Sequence, residues 1–320
     1  MIHIKIATRS RNISIRRSSQ KMEPPSLDLA KVYENRSPQL KFEDVHRLQE
    51  WMKTKKHYLI DLDEIDLINF LHQCDFDVEK AKKRITGATI FQTRARIFQD
   101  IDMRSESIKA AMETVLVSHI TLKDDNPGMA IFLKVLATDA KQIDAANLIK
   151  VMLMYTYLWL RGLEPPADHV IIVDLEVVSV AHLAALDLRT LRELSCFYNH
   201  FYFGTLCKVH FINVGSWIDR LLSILKSTMG RDFSEKICVH SNANNLHEFI
   251  SLEQLPKELG GDFLSFHQMH EAMKELLERH ADELLNKYRV QSSDLLHIEM
   301  TYNEPDLFGL DGKFRRLDVD

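Results

Sequence analysis

The stretch from Ile149 to Leu160 constrains this chain more than any other. Ile149, Met152, Leu153, Met154, Tyr155, Tyr157, Leu158, Trp159 and Leu160 leave a helix with almost no polar face. A helix that is apolar all round has to be buried on every side. Its densest part, Val151 to Leu160, is ten residues long, contains Thr156, and is fenced by Lys150 and Arg161. Crossing a bilayer takes about 20 apolar residues, so this helix belongs in the middle of a globular fold. The chain is large enough to surround it, with 320 residues, 45% apolar and 27% charged. That is the profile of an ordinary soluble protein.

The rest of the chain divides by pattern. Between residues 38 and 100 three short amphipathic helices are expected. Ser37-Pro38 reads as a cap and first-turn pair, followed by Phe42, Val45, Leu48 and Trp51 on one face. Asp63 opens the second helix and Asp77 the third. From about residue 104 to 265, apolar strands alternate with helices. Met129–Leu136, His169–Leu175, Lys208–Asn213 and Lys236–His240 read as strands, with helices at Ala145–Leu160, Leu188–Tyr202 and Ser216–Met229 between them. Strands alternating with helices give an α/β fold with a mostly parallel sheet. A further helix over 267–288 and an acidic, loosely ordered end complete the segment 266–320. Residues 1–37 are expected to form a basic disordered tail, with Lys5, Arg9, Arg11, Arg16, Arg17 and Lys21 and no acid among the first 22. Such a start fits a transit peptide, a plain tail, or an upstream start ahead of an initiator at Met22. The lack of a recurring hydrophobic face favours the last two.

The catalytic inventory is empty. Nucleotide enzymes of this class need a glycine-rich strand-to-helix loop, and neither GxGxxG nor GxxxxGK[ST] occurs among the ten glycines. There is no GxSxG elbow and no HExxH. His240 with His247, and His267 with His270, lack a third metal ligand at recognisable spacing. Asp174 and Glu176 are expected on opposite sides of their strand, so no carboxylate pair is expected there. The expectation is therefore no enzyme, no cofactor and no metal. A net charge of −5 and a pI of about 6.3 argue against nucleic-acid binding. Cys74, Cys196, Cys207 and Cys238 form no CxxC pair, which suits a reducing, cytoplasmic setting with free thiols.

Four segments then resemble one family. Phe70-Leu71 through Phe76-Asp-Val78-Glu-Lys-Ala81 resembles the FLRARxFDVExA segment of the CRAL-TRIO family. Ile171-Ile-Val-Asp174-Leu175-Glu176 resembles its I-x-D-L-E/D-G strand. His210-Phe-Ile-Asn213 resembles its HxIN strand end, and Leu255-Pro256-Lys-Glu258-Leu-Gly260-Gly261 its LPxExGG turn. They stand in the family's order, over about residues 40–280, and look most like the tocopherol- and retinaldehyde-carrier branch.

The resemblance implies an N-terminal helical subdomain on a lipid-binding domain, whose sheet floors an apolar cavity and whose helix after the HxIN strand is a mobile gate. Carried over by position, the wall comprises Ile149, Met152, Leu153, Thr156, Leu194, Phe197, Tyr198, Tyr202, Leu206 and Val209, with Ile218, Leu221 and Leu225 on the gate's inner face. Trp217, Leu222, Arg220 and Lys226 are expected at the membrane-facing rim, with Lys236 nearby. That branch holds phosphoinositide headgroups through basic residues. Here those places carry His72, Cys74, Thr205 and Asp232, with only Lys236 retained, so weak phosphoinositide binding is expected. Val177 and Phe203 replace the family's usual glycine and proline.

These readings imply a carrier that encloses one hydrophobic ligand, tocopherol- or retinoid-like, and exchanges it during transient peripheral contact with a membrane. The cavity is expected to measure ~300–1,000 Å³. The alternative is an adaptor of the same fold whose pocket has collapsed around Tyr155, Tyr157, Trp159, Phe197, Tyr198 and Tyr202.

Overall fold

The computed structural model describes residues 22–34, 37–55, 60–123, 129–163, 168–202 and 204–288. The basic tail up to residue 21, the Asn126-Pro127-Gly128 turn, Pro165-Pro166, Phe203 and the acidic end lie outside the described residues. The chain runs through α1 (Leu29–Glu34), α2 (Phe42–Thr54), α3 (Glu64–Gln73), α4 (Val78–Arg94) and α5 (Glu106–Thr114). It then forms β1 (Val115–Thr121), β2 (Met129–Val135), α6 (Ala145–Leu160), β3 (Asp168–Asp174), α7 (Val180–Ala184) and α8 (Leu188–Cys196). β4 (Thr205–Ile212), α9 (Ile218–Ser234), β5 (Ile237–Val239), α10 (Phe266–Arg279) and α11 (Ala281–Tyr288) follow.

Side-chain caps fix most helix starts, since Asp or Ser at the N-cap accepts a bond from a first-turn amide that has no helical partner. Asp63 and Asp66 form a capping box on α3, and Asp77 accepts from the amides of Glu79 and Lys80. Asp144 caps α6 through the Asn147 amide. The expected start at Ser37-Pro38 is wrong by four residues. Those residues lie ahead of a turn, and α2 begins after Lys41, which gives no side-chain cap. Residues 22–34 are not a loose tail either: they contain α1, with Met22 and Val32 buried.

The sheet has the strand order β1-β2-β3-β4-β5, with β1 antiparallel to β2 and the other pairs parallel. Strand order follows chain order, and crossovers between parallel neighbours are right-handed almost without exception. Successive crossovers in one direction therefore put α6, α8 and α9 on one face of the sheet. That face carries Val117, Ile131, Ile171, Val209 and Phe211. The opposite face carries Leu116, Ile120, Phe132, Ile172 and Ile212, and is closed by Met269 of α10 with Leu246, Ile250 and Leu255 of the preceding loop. The outer edge of β1 is blunted as well, because the Val117 amide donates to the sulfur of Met273.

The first helical unit packs against the sheet domain through α4. Residues 197–201 form a π-helical turn on the end of α8, and α4 approaches it at Gly87, where a Cβ would stand 2.9 Å from the Phe201 ring. Arg84, one turn earlier, donates to the Tyr202 carbonyl at 3.2 Å.

Candidate functional site

The parallel strands end in a polar knot. Asp174, fully buried at the end of β3, accepts from Lys134 Nζ at 2.7 Å and from Asn213 Nδ2 at 3.0 Å. Its second carboxylate oxygen therefore holds Asn213, while the first holds Lys134. Asn213 sits at φ 54°, a left-handed conformation that asparagine tolerates better than most residues. Burial opposes charge on Lys134, but its hydrogen bonds to Asp174 and Glu176 outweigh that cost and hold the ammonium above its ordinary range. The two motifs read from sequence, the DLE strand and the HxIN strand end, meet here. Asp174 and Glu176 were expected on opposite sides. They converge on Lys134 instead, because residues two apart along an extended chain share a face. The arrangement is a clamp on three strand ends.

Above the crossover-helix face lie the residues expected to form the wall. Ile149, Met152, Leu153, Phe197, Tyr202, Leu206, Val209, Leu221 and Leu225 all fall in one buried cluster, with Leu194, Tyr198, Ile218 and Leu222 packed against it. Thr156 is buried beside them on α6. Two of these turn partly away from the sheet. Phe197 stacks edge-on against Phe98 at 5.1 Å, and the Leu153 carbonyl faces the Tyr288 hydroxyl at 3.5 Å. Tyr202 reaches across to the sheet, its hydroxyl 3.0 Å from Nε2 of His169 on β3.

The helix expected as the gate is α9. It is helical from Ile218 to Met229, then kinks at Gly230, which takes φ 82° and ψ 179°. Leu221, Leu225 and Met229 face inward, Leu222 and Ile218 are half-buried, and Arg220 and Lys226 are exposed. Trp217 differs from the expected rim position. It is 9% exposed and lies in the core cluster, packed over Gly215. Of the residues matched to phosphoinositide positions, Cys74 is buried and His72 packs against Phe76 at 4.8 Å.

Sequence spacing paired the histidines differently from the fold. His240 meets His210 across β4 and β5, Nε2 to Nδ1 at 2.9 Å, while His270 Nε2 lies 2.7 Å from the Met112 carbonyl. Parallel register places residues distant in sequence side by side, which no local spacing reveals. Burial, then His240 and Lys208, lower the His210 pKa to about 4. Among the described residues, no group of three or more His, Cys, Asp or Glu side chains is placed to hold a metal ion. None of the described helices is long and apolar enough to cross a membrane. A separate groove of about 340 Å³ runs beside Leu27, Ile65, Leu158 and His280. It is crossed by Arg161, paired with Asp63 and Glu283, and shares no residue with the wall.

Residues 117–261 match the CRAL/TRIO domain model, and residues 37–108 match the Pinta-like UBA domain model. Clavesin-1 of Xenopus laevis is 20% identical over 284 residues, spanning 87% of this chain and 84% of that protein. Clavesin-1 of Mus musculus is 20% identical over 286 residues, spanning 88% and 80%. The crystal structure of Sfh5 superposes with a TM-score of 0.49 at 11% identity, covering 76% of this chain and all of that one. The matched span runs from β1 through the polar knot and α9 to Gly261, so this part of the chain is a CRAL/TRIO domain.

Proposed function

We propose that this protein is a non-catalytic carrier that encloses one hydrophobic ligand, of tocopherol or retinoid dimensions, between the sheet and helices α6, α8 and α9. We read residues 38–100 as a helical subdomain, 104–265 as the carrier domain and 266–288 as a closing helical segment. The supporting observation is a difference in closure. On the crossover-helix face Ile171, Leu221 and Leu225 each keep 7% of their surface accessible, although they lie inside the molecule. The neighbouring Ile172, on the other face, keeps none. An apolar wall that is shielded yet incompletely packed is what a ligand of this kind fits. Each CH₂ moved out of water contributes about 0.8 kcal/mol.

Exchange takes place during peripheral contact with a membrane in a cytoplasmic setting, with α9 as the moving element. Arg220 and Lys226 meet the anionic surface, and Leu222 enters the interface when the helix lifts. Lys236 stands near them, and phosphoinositides receive no preference because one lysine makes no clamp. Extraction of the purified protein with organic solvent, followed by mass spectrometry, tests the carrier reading. One co-purifying lipid per chain supports it. A protein that carries none, and takes up none from donor vesicles, is an adaptor. Leu221→Asp is expected to abolish retention, since it sets a charge in an apolar wall. Leu222→Asp is expected to slow transfer between vesicles with retention kept.

A further inference from the structure

The π-helical turn at 197–201 divides the aromatic residues at the end of α8 between two sides. Phe201 and Phe197 face the helical unit, where Phe201 packs 5.0 Å from Phe91. Tyr202 reaches β3, and the Tyr198 ring lies 4.6 Å from it. An inserted residue of this kind re-aims the side chains after it, and such turns concentrate at functional sites. The two phenols end in unlike states. The Tyr202 hydroxyl has His169, whereas the Tyr198 hydroxyl is buried and has no hydrogen-bond partner among the described residues. Tyr198 as a whole is nonetheless only half-buried.

A buried hydroxyl without a partner is destabilising, so its presence in the wall calls for an explanation. Asn69, whose amide is also unpartnered, lies on α3 and away from the wall. Tyr198 is on it. We propose that the carrier selects uncharged lipids bearing one acceptor oxygen, such as a ketone, ester, quinone or alcohol, with the Tyr198 hydroxyl as the donor. This rests on the carrier reading and adds the class of ligand to it. Burial raises the pKa of this hydroxyl and so keeps it protonated. A carboxylate or phosphate seated there would lack a counter-charge, and burying an unpaired anion is costly. An aliphatic chain without oxygen would leave the hydroxyl orphaned.

The test loads the full chain from phosphatidylcholine vesicles doped equally with hexadecane, hexadecan-2-one and hexadecanoate at pH 8. Lipid held by the re-isolated protein is quantified by mass spectrometry. The wild type is expected to hold the ketone about 3- to 10-fold over both others, the range one neutral hydrogen bond gives. Tyr198→Phe is expected to bring the ketone-to-alkane ratio near one. The same variant is expected to melt at or above the wild-type temperature without ligand, which shows that it folds. An unchanged ratio in Tyr198→Phe, or a preference for hexadecanoate, overturns the assignment and leaves the carrier reading standing. If the wild type retains none of the three, the carrier reading fails and this one fails with it.

Discussion

The two faces of the sheet use similar residues to different ends. The face under α10 is closed with Phe132, Ile172, Ile212, Leu246 and Met269 wholly buried. The face under α8 and α9 is lined just as apolarly, with Val117 wholly buried but Ile171, Leu221 and Leu225 each keeping 7% of their surface. Apolar content alone therefore does not tell a core from a wall. Closure does, and closure depends on what lies opposite. The first face meets a helix and loop with matching side chains, and the second meets crossover helices of which one, α9, kinks at Gly230.

Paired truncations are the strongest way to break this contrast. Phe132→Ala is expected to cost about 3–5 kcal/mol, because a tight core cannot collapse around the cavity left behind. Leu221→Ala is expected to cost about 2 kcal/mol, at the low end for leucine. Urea unfolding of the two variants reads both, and equal costs would mean that the two faces are equally packed. At the rim of the closed face, Lys134→Met leaves Asp174 as an uncompensated buried carboxylate, at a cost of about 3 kcal/mol or more. The contribution has a defined pH range. Lys134 is raised in the fold, so its contribution is complete below the ordinary lysine value of 10.5 and is lost as pH rises through the folded value. Wild-type stability should fall faster above pH 10.5 than that of Lys134→Met.

On the open face, Gly230→Ala is expected to cost about 1–3 kcal/mol, since its backbone lies where side chains are strained. Its effect on vesicle-to-vesicle transfer should exceed that of an alanine at exposed Ser227. The smallest effect belongs to His210, which the fold keeps neutral. Its pKa falls from 6.5 to about 4, so the stability it contributes is present above pH 6.5 and is lost as pH drops toward 4. His210→Gln should flatten the acid limb of a melting-temperature profile over that window.

Much of this was legible in the chain. The helix apolar all round is α6, and four of the five strands lie within three residues of their expected ends. β1 was missed because α5 passes directly into it at Thr114 and Val115, with no turn residue to mark the change. The long helix expected from Leu188 to Tyr202 switches to a π turn at Phe197, a change that composition does not announce. The residues expected as the wall were carried over by position, and their burial in one cluster agrees with their apolar character. Which of them keep accessible surface depends on packing between distant segments. Trp217 illustrates the limit, since an aromatic residue at a helix start reads the same whether it faces a membrane or folds back over Gly215.

Strand order that repeats chain order also bears on how the molecule is made. β1 and β2 pair locally, and each later strand adds to the growing edge, so no strand has to thread between two already joined. A chain emerging from the ribosome can extend the sheet as each crossover is completed, since synthesis and folding then run in the same direction. The face closed by α10 is covered last, because its lid is encoded some thirty residues after β5. Until that segment leaves the exit tunnel, Phe132, Ile172 and Ile212 lack the cover of Met269 and have only Leu246, Ile250 and Leu255 of the preceding loop over them. A nascent chain arrested ahead of residue 266 should therefore be a chaperone client, and one released after Tyr288 should not.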